Sequence, residues 1–182
     1  MKLLDFDTRE APISFIDLEM TGLESAKHEI IEIGLVKASQ PDLEIIEKWE
    51  IRVKPEQLET SDPEALKVAQ YDKEKWQNAV SLFEAMNILA LKIDRTILAG
   101  WNVATDYSFL DQAFSKTGIQ LNFFKHILDI NSYTKARLNM SWGSGGLSNT
   151  CKKLGVTREN EHTALSDALA TYEIYRICVN NG

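Results

Sequence analysis

The stretch APISFIDLEM, residues 11–20, decides the fold class and holds the first two candidate site residues. It predicts a strand that is apolar on both faces until Asp17 and Glu19 appear on one of them. A strand of this kind is usually central in its sheet and covered on both sides. Residues two apart on a strand are ~6.6 Å apart, so both carboxylates reach one point and need a counter-cation. The alternative is an exposed strand end at which Gly22 turns the chain away.

The patterns on either side of this strand predict an α/β chain. Strands at 29–38 and 43–53 follow it, separated by turn residues, and predict an antiparallel meander. Strands and helices then alternate, which predicts a mixed central sheet flanked by helices. The length of 182 residues fits one domain over 1–182, with 1–10 as a loosely ordered tail. The remaining predicted elements are a helix start at 61–64, helices at 73–93, 103–116, 131–137, 146–154 and 163–179, and strands at 96–101 and 126–130.

A third acid, Asp106, heads the apolar stripe of the helix predicted at 103–116. Asp111 falls off that stripe and is expected to be an ordinary solvated acid. The macrodipole also favours an acid in the first turn of a helix, but it does not explain why Asp106 points inward. Asp106 is therefore a candidate site residue.

A fourth acid and a histidine stand at the start of the last predicted helix. Thr163 is suited to be its N-cap, His162 lies just before it, and Asp167 lies about one turn inside. Small side chains share the side of Asp167 and allow another element to approach closely. A surface or capping role is the alternative for His162.

The four acids and one histidine predict a metal site. Oxygen ligands without Cys suit Mg²⁺ or Mn²⁺ rather than Zn²⁺. The chemistry that such sites serve is two-metal phosphoryl transfer, with two divalent ions about 3.5–4 Å apart. A histidine with a pKa near neutrality suits the role of general base.

Three motifs in this order resemble the DEDDh 3′–5′ exonucleases, a family with a ribonuclease H-like fold. Its members include the proofreading exonuclease of bacterial DNA polymerase III, ribonuclease T and oligoribonuclease. The first motif is FIDLEMTGL at 15–23, the second NVATDYSFL at 102–110, and the third HTALSDA at 162–168. The resemblance covers residues 13–177 and implies a ribonuclease H-like exonuclease fold.

The resemblance also implies a role for each of the five residues. Asp17 would bridge both metal ions, while Glu19 and Asp167 would complete the site of the nucleophile's metal. Asp106 would hold the second metal, directly or through water. His162 would be the general base.

Substrate contacts are implied in the same way. Thr21 and Leu23 would contact the 3′-terminal nucleotide, with Leu23 wedged against the base. The backbone near Met20 would bind the sugar. Asn102 and Phe109 are further candidates, and core packing is the alternative for Phe109.

The resemblance implies a free-standing, metal-dependent 3′–5′ exonuclease that releases nucleoside 5′-monophosphates from single-stranded 3′ ends. The first motif has the same residues as that of oligoribonuclease, so an oligoribonuclease-like enzyme acting on short RNA is one alternative. Asn160 replaces the Tyr of oligoribonuclease, which favours the DNA-proofreading branch, and Thr105 replaces the family's usual Phe. A catalytically inactive interaction module with the same fold is another alternative.

The charge balance, the apolar runs and the cysteines of the chain restrict the partners and the compartment that are expected. Twenty basic against twenty-seven acidic residues leave a net charge of −7, which argues against binding nucleic acid through a broad basic surface. No apolar run reaches the ~18 residues of a membrane span. Cys151 and Cys178 lack metal-site spacing and are expected to be buried free thiols, which fits the cytoplasm. No polymerase-binding tail is expected, and the protein is expected to be a monomer or homodimer.

Overall fold

The central sheet begins with three antiparallel strands in the computed structural model. They are β1 (Ile13–Met20), β2 (Ile30–Ala38) and β3 (Ile45–Arg52). Each pairs with the next, which confirms the predicted meander. The structure describes residues 8–120, 124–143, 145–159 and 162–180.

Two parallel strands complete the sheet on the other side of β1. β4 (Ile97–Gly100) pairs with β1, and β5 (Phe124–Asp129) pairs with β4. The strand order is β3-β2-β1-β4-β5, so β1 is the central strand. The prediction of a mixed central sheet is confirmed.

Helices flank both faces of this sheet. They are α1 (Pro63–Val68), α2 (Leu82–Lys92), α3 (Ala104–Thr117), α4 (Ile130–Arg137), α5 (Leu147–Leu154) and α6 (Ala164–Asn180). On one face, Ile16 and Leu18 of β1 pack against α2 and α3, and on the other, Ile13 and Phe15 pack against α4, α5 and α6. Burial on both faces explains why β1 is apolar on both sides.

The long helix predicted at 73–93 is wrong over its first part, since α2 begins only at Leu82. Val80 instead bridges to Val53, and its backbone bonds Lys54 and Arg52 in an extended conformation. Ser81 then caps α2 by accepting a hydrogen bond from the N–H of Glu84. Edge pairing at Val80 thus overrides the helical pattern before it.

Three other expectations concern the chain as a whole. Residues 1–7 of the predicted tail lie outside the described residues, and 8–10 form a turn. Cys151 and Cys178 are buried thiols that are not joined in a disulfide, as predicted. Among the described residues, none of the helices has the length and apolar character needed to span a bilayer. The single-domain organisation over 1–182 stays a prediction.

Candidate active site

The site begins where β1 continues beyond its partner β4. The two strands pair only over Ile13–Phe15 and Ile97–Ala99. Further along this edge, the N–H of Leu18 donates to Oδ1 of Asp106 at 3.0 Å instead. Asp106 is buried in the first turn of α3. The acid that heads the apolar stripe therefore replaces a missing strand partner, which accounts for its inward direction.

Three of the predicted acids converge on the other face of β1 from α3, the face that packs against α6. Asp17 and Glu19 of β1 and Asp167 of α6 each offer a carboxylate oxygen, and these atoms all lie within 4.8 Å of one another. Asp106 is outside this group, but it is near enough for its charge to raise the pKa of Asp17. Asp111 is exposed, as expected for a solvated acid. We call Asp17, Glu19 and Asp167 the carboxylate cluster.

A glycine that sequence reasoning missed brings α6 close to the sheet. A Cβ on Gly34 of β2 would lie 2.1 Å from the carbonyl carbon of Ala164, the first residue of α6. Gly34 is also the register partner of Asp17 in β1. The absence of a side chain at Gly34 therefore allows the first turn of α6 to lie beside the acidic end of β1.

A fifth acid, Glu32, is buried and also holds the start of α6. Its carboxylate accepts a hydrogen bond from the backbone N–H of Ala164, and Arg52 Nε lies 3.8 Å from its Oε2. Burial raises the pKa of Glu32, and Arg52 opposes this shift. Glu32 is also the register partner of Glu19. An acid within the apolar strand 29–38 was the available signal, and sequence reasoning did not use it.

Burial raises the pKa of three site acids, and repulsion from neighbouring site acids adds to this for Asp17 and Glu19. Desolvation raises the pKa of Asp17 well above its usual value, and the charges of Asp106, Asp167 and Glu19 add to it. Desolvation, followed by the charge of Asp167, raises the pKa of Glu19 to about 8. Desolvation also raises the pKa of Asp106 to about 7, against hydrogen bonds from the N–H groups of Asp106 and Leu18. Such a site favours protons or a cation.

The chemistry of the cluster fits divalent cations. Its ligand atoms are carboxylate oxygens, which are the ligands that Mg²⁺ and Mn²⁺ prefer. They lie within 4.8 Å of one another, on β1 and α6. Asp17, Glu19 and Asp167, with Asp106 beside them, are the residues that could hold such ions.

A buried arginine missed by sequence reasoning contacts the cluster. Arg158, in the loop between α5 and α6, donates from Nε to Asp167 Oδ1 at 3.1 Å, and a terminal nitrogen donates to the same oxygen. Its other terminal nitrogen donates to Ser148 Oγ in α5. The loop sequence TRENEH is typical of an exposed turn, so sequence alone offered no signal for this burial.

His162 lies two residues before α6 and is exposed, with a left-handed φ of 64°. Among the described residues, the carboxylate cluster does not include it. Its role as general base stays a prediction. Thr163 follows as the residue before α6, and its carbonyl accepts a hydrogen bond from the N–H of Asp167.

Three of the predicted substrate contacts lie at the end of β1 and in the loop that follows it. Thr21 is buried, and its hydroxyl accepts a hydrogen bond from the N–H of Glu29 at 2.9 Å. Met20 is partly buried against the core, whereas Leu23 is 78% exposed. Thr21 therefore organises the loop that presents Leu23 to solvent. Contact with a nucleotide stays a prediction for all three residues.

The other two predicted substrate residues lie in different environments. Asn102 is exposed at the end of β4, with a φ of 54°, and its Oδ1 accepts a hydrogen bond from Asn131 at 2.6 Å. Phe109 is only 2% exposed and packs in the core beneath α3. This burial fits the packing alternative, and contact of Phe109 with a nucleotide stays a prediction. Asn160, on which the DNA-proofreading preference depended, lies outside the described residues.

Comparisons with known proteins agree with this geometry. A family model described as RNase_T, exonuclease, matches residues 14–175. The DNA polymerase III PolC-type of Thermotoga petrophila is 28% identical over 94% of this chain, which covers 12% of that polymerase. Ribonuclease T of Buchnera aphidicola is 25% identical over 91% of this chain and 82% of its own length. The chain thus spans a small part of the PolC-type relatives that it matches.

Solved structures with the same fold are similar over nearly the whole chain. The nuclease domain of 3′hExo, a DEDDh family member bound to rAMP, aligns with a TM-score of 0.77 and 20% identity over 97% of this chain and 96% of that one. Exonuclease I of E. coli in complex with a dT13 oligonucleotide aligns with a TM-score of 0.76 and 15% identity, over 92% of this chain and 41% of that one. These similarities confirm the predicted ribonuclease H-like exonuclease fold.

Proposed function

Because the chain belongs to the exonuclease family whose model matches residues 14–175, we propose that it is a metal-dependent 3′–5′ exonuclease. It would hydrolyse single-stranded nucleic acid from the 3′ end and release nucleoside 5′-monophosphates. The observation that carries the proposal is the carboxylate cluster, whose three oxygens lie within 4.8 Å of one another at the end of the central strand. Acids from two motifs that are far apart in the sequence meet in this cluster. A group of like-charged carboxylates at one point suits a metal site better than a salt bridge.

The acids of the chain would hold two divalent ions, Mg²⁺ or Mn²⁺. Asp17 lies on the central strand and would bridge both ions, while Glu19 and Asp167 would complete the site of the ion that carries the attacking water. Asp106 would hold the second ion, directly or through water. Bound there, the ions would supply an activated water and charge stabilisation at the phosphate and the leaving oxygen.

His162 would take the proton of the attacking water as general base. Its position before α6 places it one short segment from Asp167 in the chain, and its exposed ring can pass the proton to bulk water. General-base catalysis of this kind typically raises the rate by a factor of about 10²–10⁴. The ring would therefore affect turnover far more than metal binding.

The residues around the end of β1 would bind the 3′-terminal nucleotide. Leu23 is the exposed apolar side chain of this loop and would wedge against the terminal base. The backbone near Met20 and the loop at Thr21 would contact the sugar, and Asn102 is a further contact. A net charge of −7 fits contacts limited to the 3′ end of a strand better than salt-dependent binding along a long duplex.

A cleavage panel tests the proposal and separates its alternatives. Single-stranded DNA and RNA labelled at the 5′ end, both long and short, are incubated with the protein and Mn²⁺ or Mg²⁺. A ladder that shortens from the 3′ end is expected, and a 3′-blocked strand should resist. Preference for short RNA would favour the oligoribonuclease-like alternative. Intact strands with every substrate and both metals would favour an inactive interaction module.

A cytoplasmic location and a monomeric or homodimeric state stay predictions.

A further inference from the structure

Arg158 connects two helices through one carboxylate of the cluster. Its side chain is only 3% exposed, and its guanidinium donates to Asp167 Oδ1 in α6 and to Ser148 Oγ in α5. A planar guanidinium binds in a fixed fork geometry, so anchoring one side by Ser148 restricts the orientation of the other. The rotamer of Asp167 is thereby coupled to α5.

The guanidinium lies on the Asp167 side of the cluster. Both donations to Asp167 end on Oδ1. Asp167 Oδ2 receives neither of these donations, and the remaining terminal nitrogen of the guanidinium donates to Ser148 Oγ on α5. Its placement fits an outer contact of the site.

We infer that Arg158 is a positioning residue of the metal site, which fixes Asp167 through Oδ1 and so presents Oδ2 to a divalent ion. Metal-binding carboxylates are commonly held by such outer partners, whose loss typically lowers metal affinity by roughly 10–100-fold. This inference depends on the proposed metal-dependent function, and it assigns Arg158 and Ser148 a part in that function.

Two other roles for Arg158 make different predictions. If the guanidinium competed with the metal for Asp167, removing it would strengthen metal binding. If it only joined α5 to α6, removing it would lower thermal stability and leave the affinity of the folded protein for metal unchanged.

The test is a titration of the metal-free protein with Mn²⁺, followed by electron paramagnetic resonance or calorimetry. The variants are Arg158→Met, which keeps the aliphatic stem, Arg158→Lys, which keeps the charge without the fork, and Ser148→Ala. Arg176→Met is the matched control, because Arg176 lies on the same helix as Asp167 but pairs on the surface with Glu173. Circular dichroism establishes that each variant is folded.

The positioning role predicts a Kd for Mn²⁺ that rises roughly 10–100-fold in Arg158→Met and less in Arg158→Lys and Ser148→Ala, with Arg176→Met unchanged. An unchanged or tighter Kd in folded Arg158→Met would overturn it. Should Arg158→Met fail to fold, unchanged affinity in both Arg158→Lys and Ser148→Ala would do the same. Failure of the wild type itself to bind Mn²⁺ would overturn the proposed function, and this inference with it.

Discussion

Gly34 of β2 lies directly against Ala164, the first residue of α6, with no room for a side chain between them. A Cβ at Gly34 would come within 2.1 Å of the carbonyl carbon of Ala164 and 2.2 Å of the backbone nitrogen of Leu165. Because Gly34 is the register partner of Asp17, this contact sets how closely Asp167 approaches the acidic end of β1.

Gly34→Ala should therefore impair the site more than the fold. The added methyl group meets backbone, which must shift, so the start of α6 and Asp167 would move away from Asp17. We expect a destabilisation of about 1–3 kcal/mol and a loss of Mn²⁺ affinity of at least about tenfold, measured by chemical denaturation and Mn²⁺ titration. Gly143→Ala is the control, because a Cβ there meets no atom within 4 Å. Wild-type affinity in Gly34→Ala would refute the positioning role of this contact.

Glu32→Gln tests the coupling between the fifth acid and the cluster. The Gln side chain keeps an acceptor for the N–H of Ala164 but loses a negative charge that raises the pKa of Glu19. Glu19 should then ionise at lower pH, and the midpoint of Mn²⁺ binding against pH should fall by up to about one unit. Glu50→Gln, a neighbour of Glu32 on the exposed edge strand β3, should leave the midpoint in place. A midpoint that rises in Glu32→Gln would contradict the electrostatic account.

The stability of the metal-free protein should fall as pH rises. The pKa values of Glu19, about 8, and Asp106, about 7, lie above those of the unfolded chain, and that of Asp17 is raised too. Between about pH 4 and pH 8 the folded state therefore holds more protons than the unfolded state, so the free energy of unfolding decreases with rising pH. The melting temperature in EDTA should drop over this window.

Mn²⁺ should reverse that loss, because the metal binds the ionised carboxylates. Its stabilisation of the melting temperature should grow from about pH 5 to about pH 8. Asp17→Asn removes a charge whose pKa is raised by burial and by three neighbouring acids, and it should flatten the pH dependence in EDTA. Asp111→Asn on the exposed face of α3 should not. Equal pH dependence in the two variants would show that the cluster is not the source.

His162→Ala should separate catalysis from metal binding. Because the ring lies outside the carboxylate cluster, the Kd for Mn²⁺ should stay within about threefold of wild type. Turnover at saturating Mn²⁺ should fall by about 10²–10⁴ if His162 is the general base. His126→Ala is the control, since His126 is exposed on β5. A parallel loss of metal affinity in His162→Ala would identify His162 as a ligand instead.

The sequence predicted the acids because each broke a local pattern. Asp17 and Glu19 interrupt a strand that is apolar on both faces, and Asp106 heads a buried helical stripe, so burial and charge conflict at each position. The structure brings Asp17 and Glu19 to one point with Asp167 and places Asp106 beside them. Conflicts of this kind are visible without tertiary information.

The parts of the site that were missed depend on tertiary contacts. Gly34 is unremarkable in a strand until α6 is placed against it, and Arg158 stands in a polar loop whose sequence predicts exposure. The start of α2 was misplaced for a related reason, because pairing of Val80 with Val53 extends the chain there. Packing between distant segments decides each of these features, and the local periodicity of the sequence does not predict that packing.

The most direct test of the central claim is the cleavage of a 5′-labelled single strand in Mn²⁺ by the wild type and by Asp17→Asn. The account predicts stepwise shortening from the 3′ end with release of nucleoside 5′-monophosphates, abolished by EDTA and by Asp17→Asn although that variant stays folded. Shortening that persists in purified Asp17→Asn, or intact strands with the wild type in both Mn²⁺ and Mg²⁺, would contradict it.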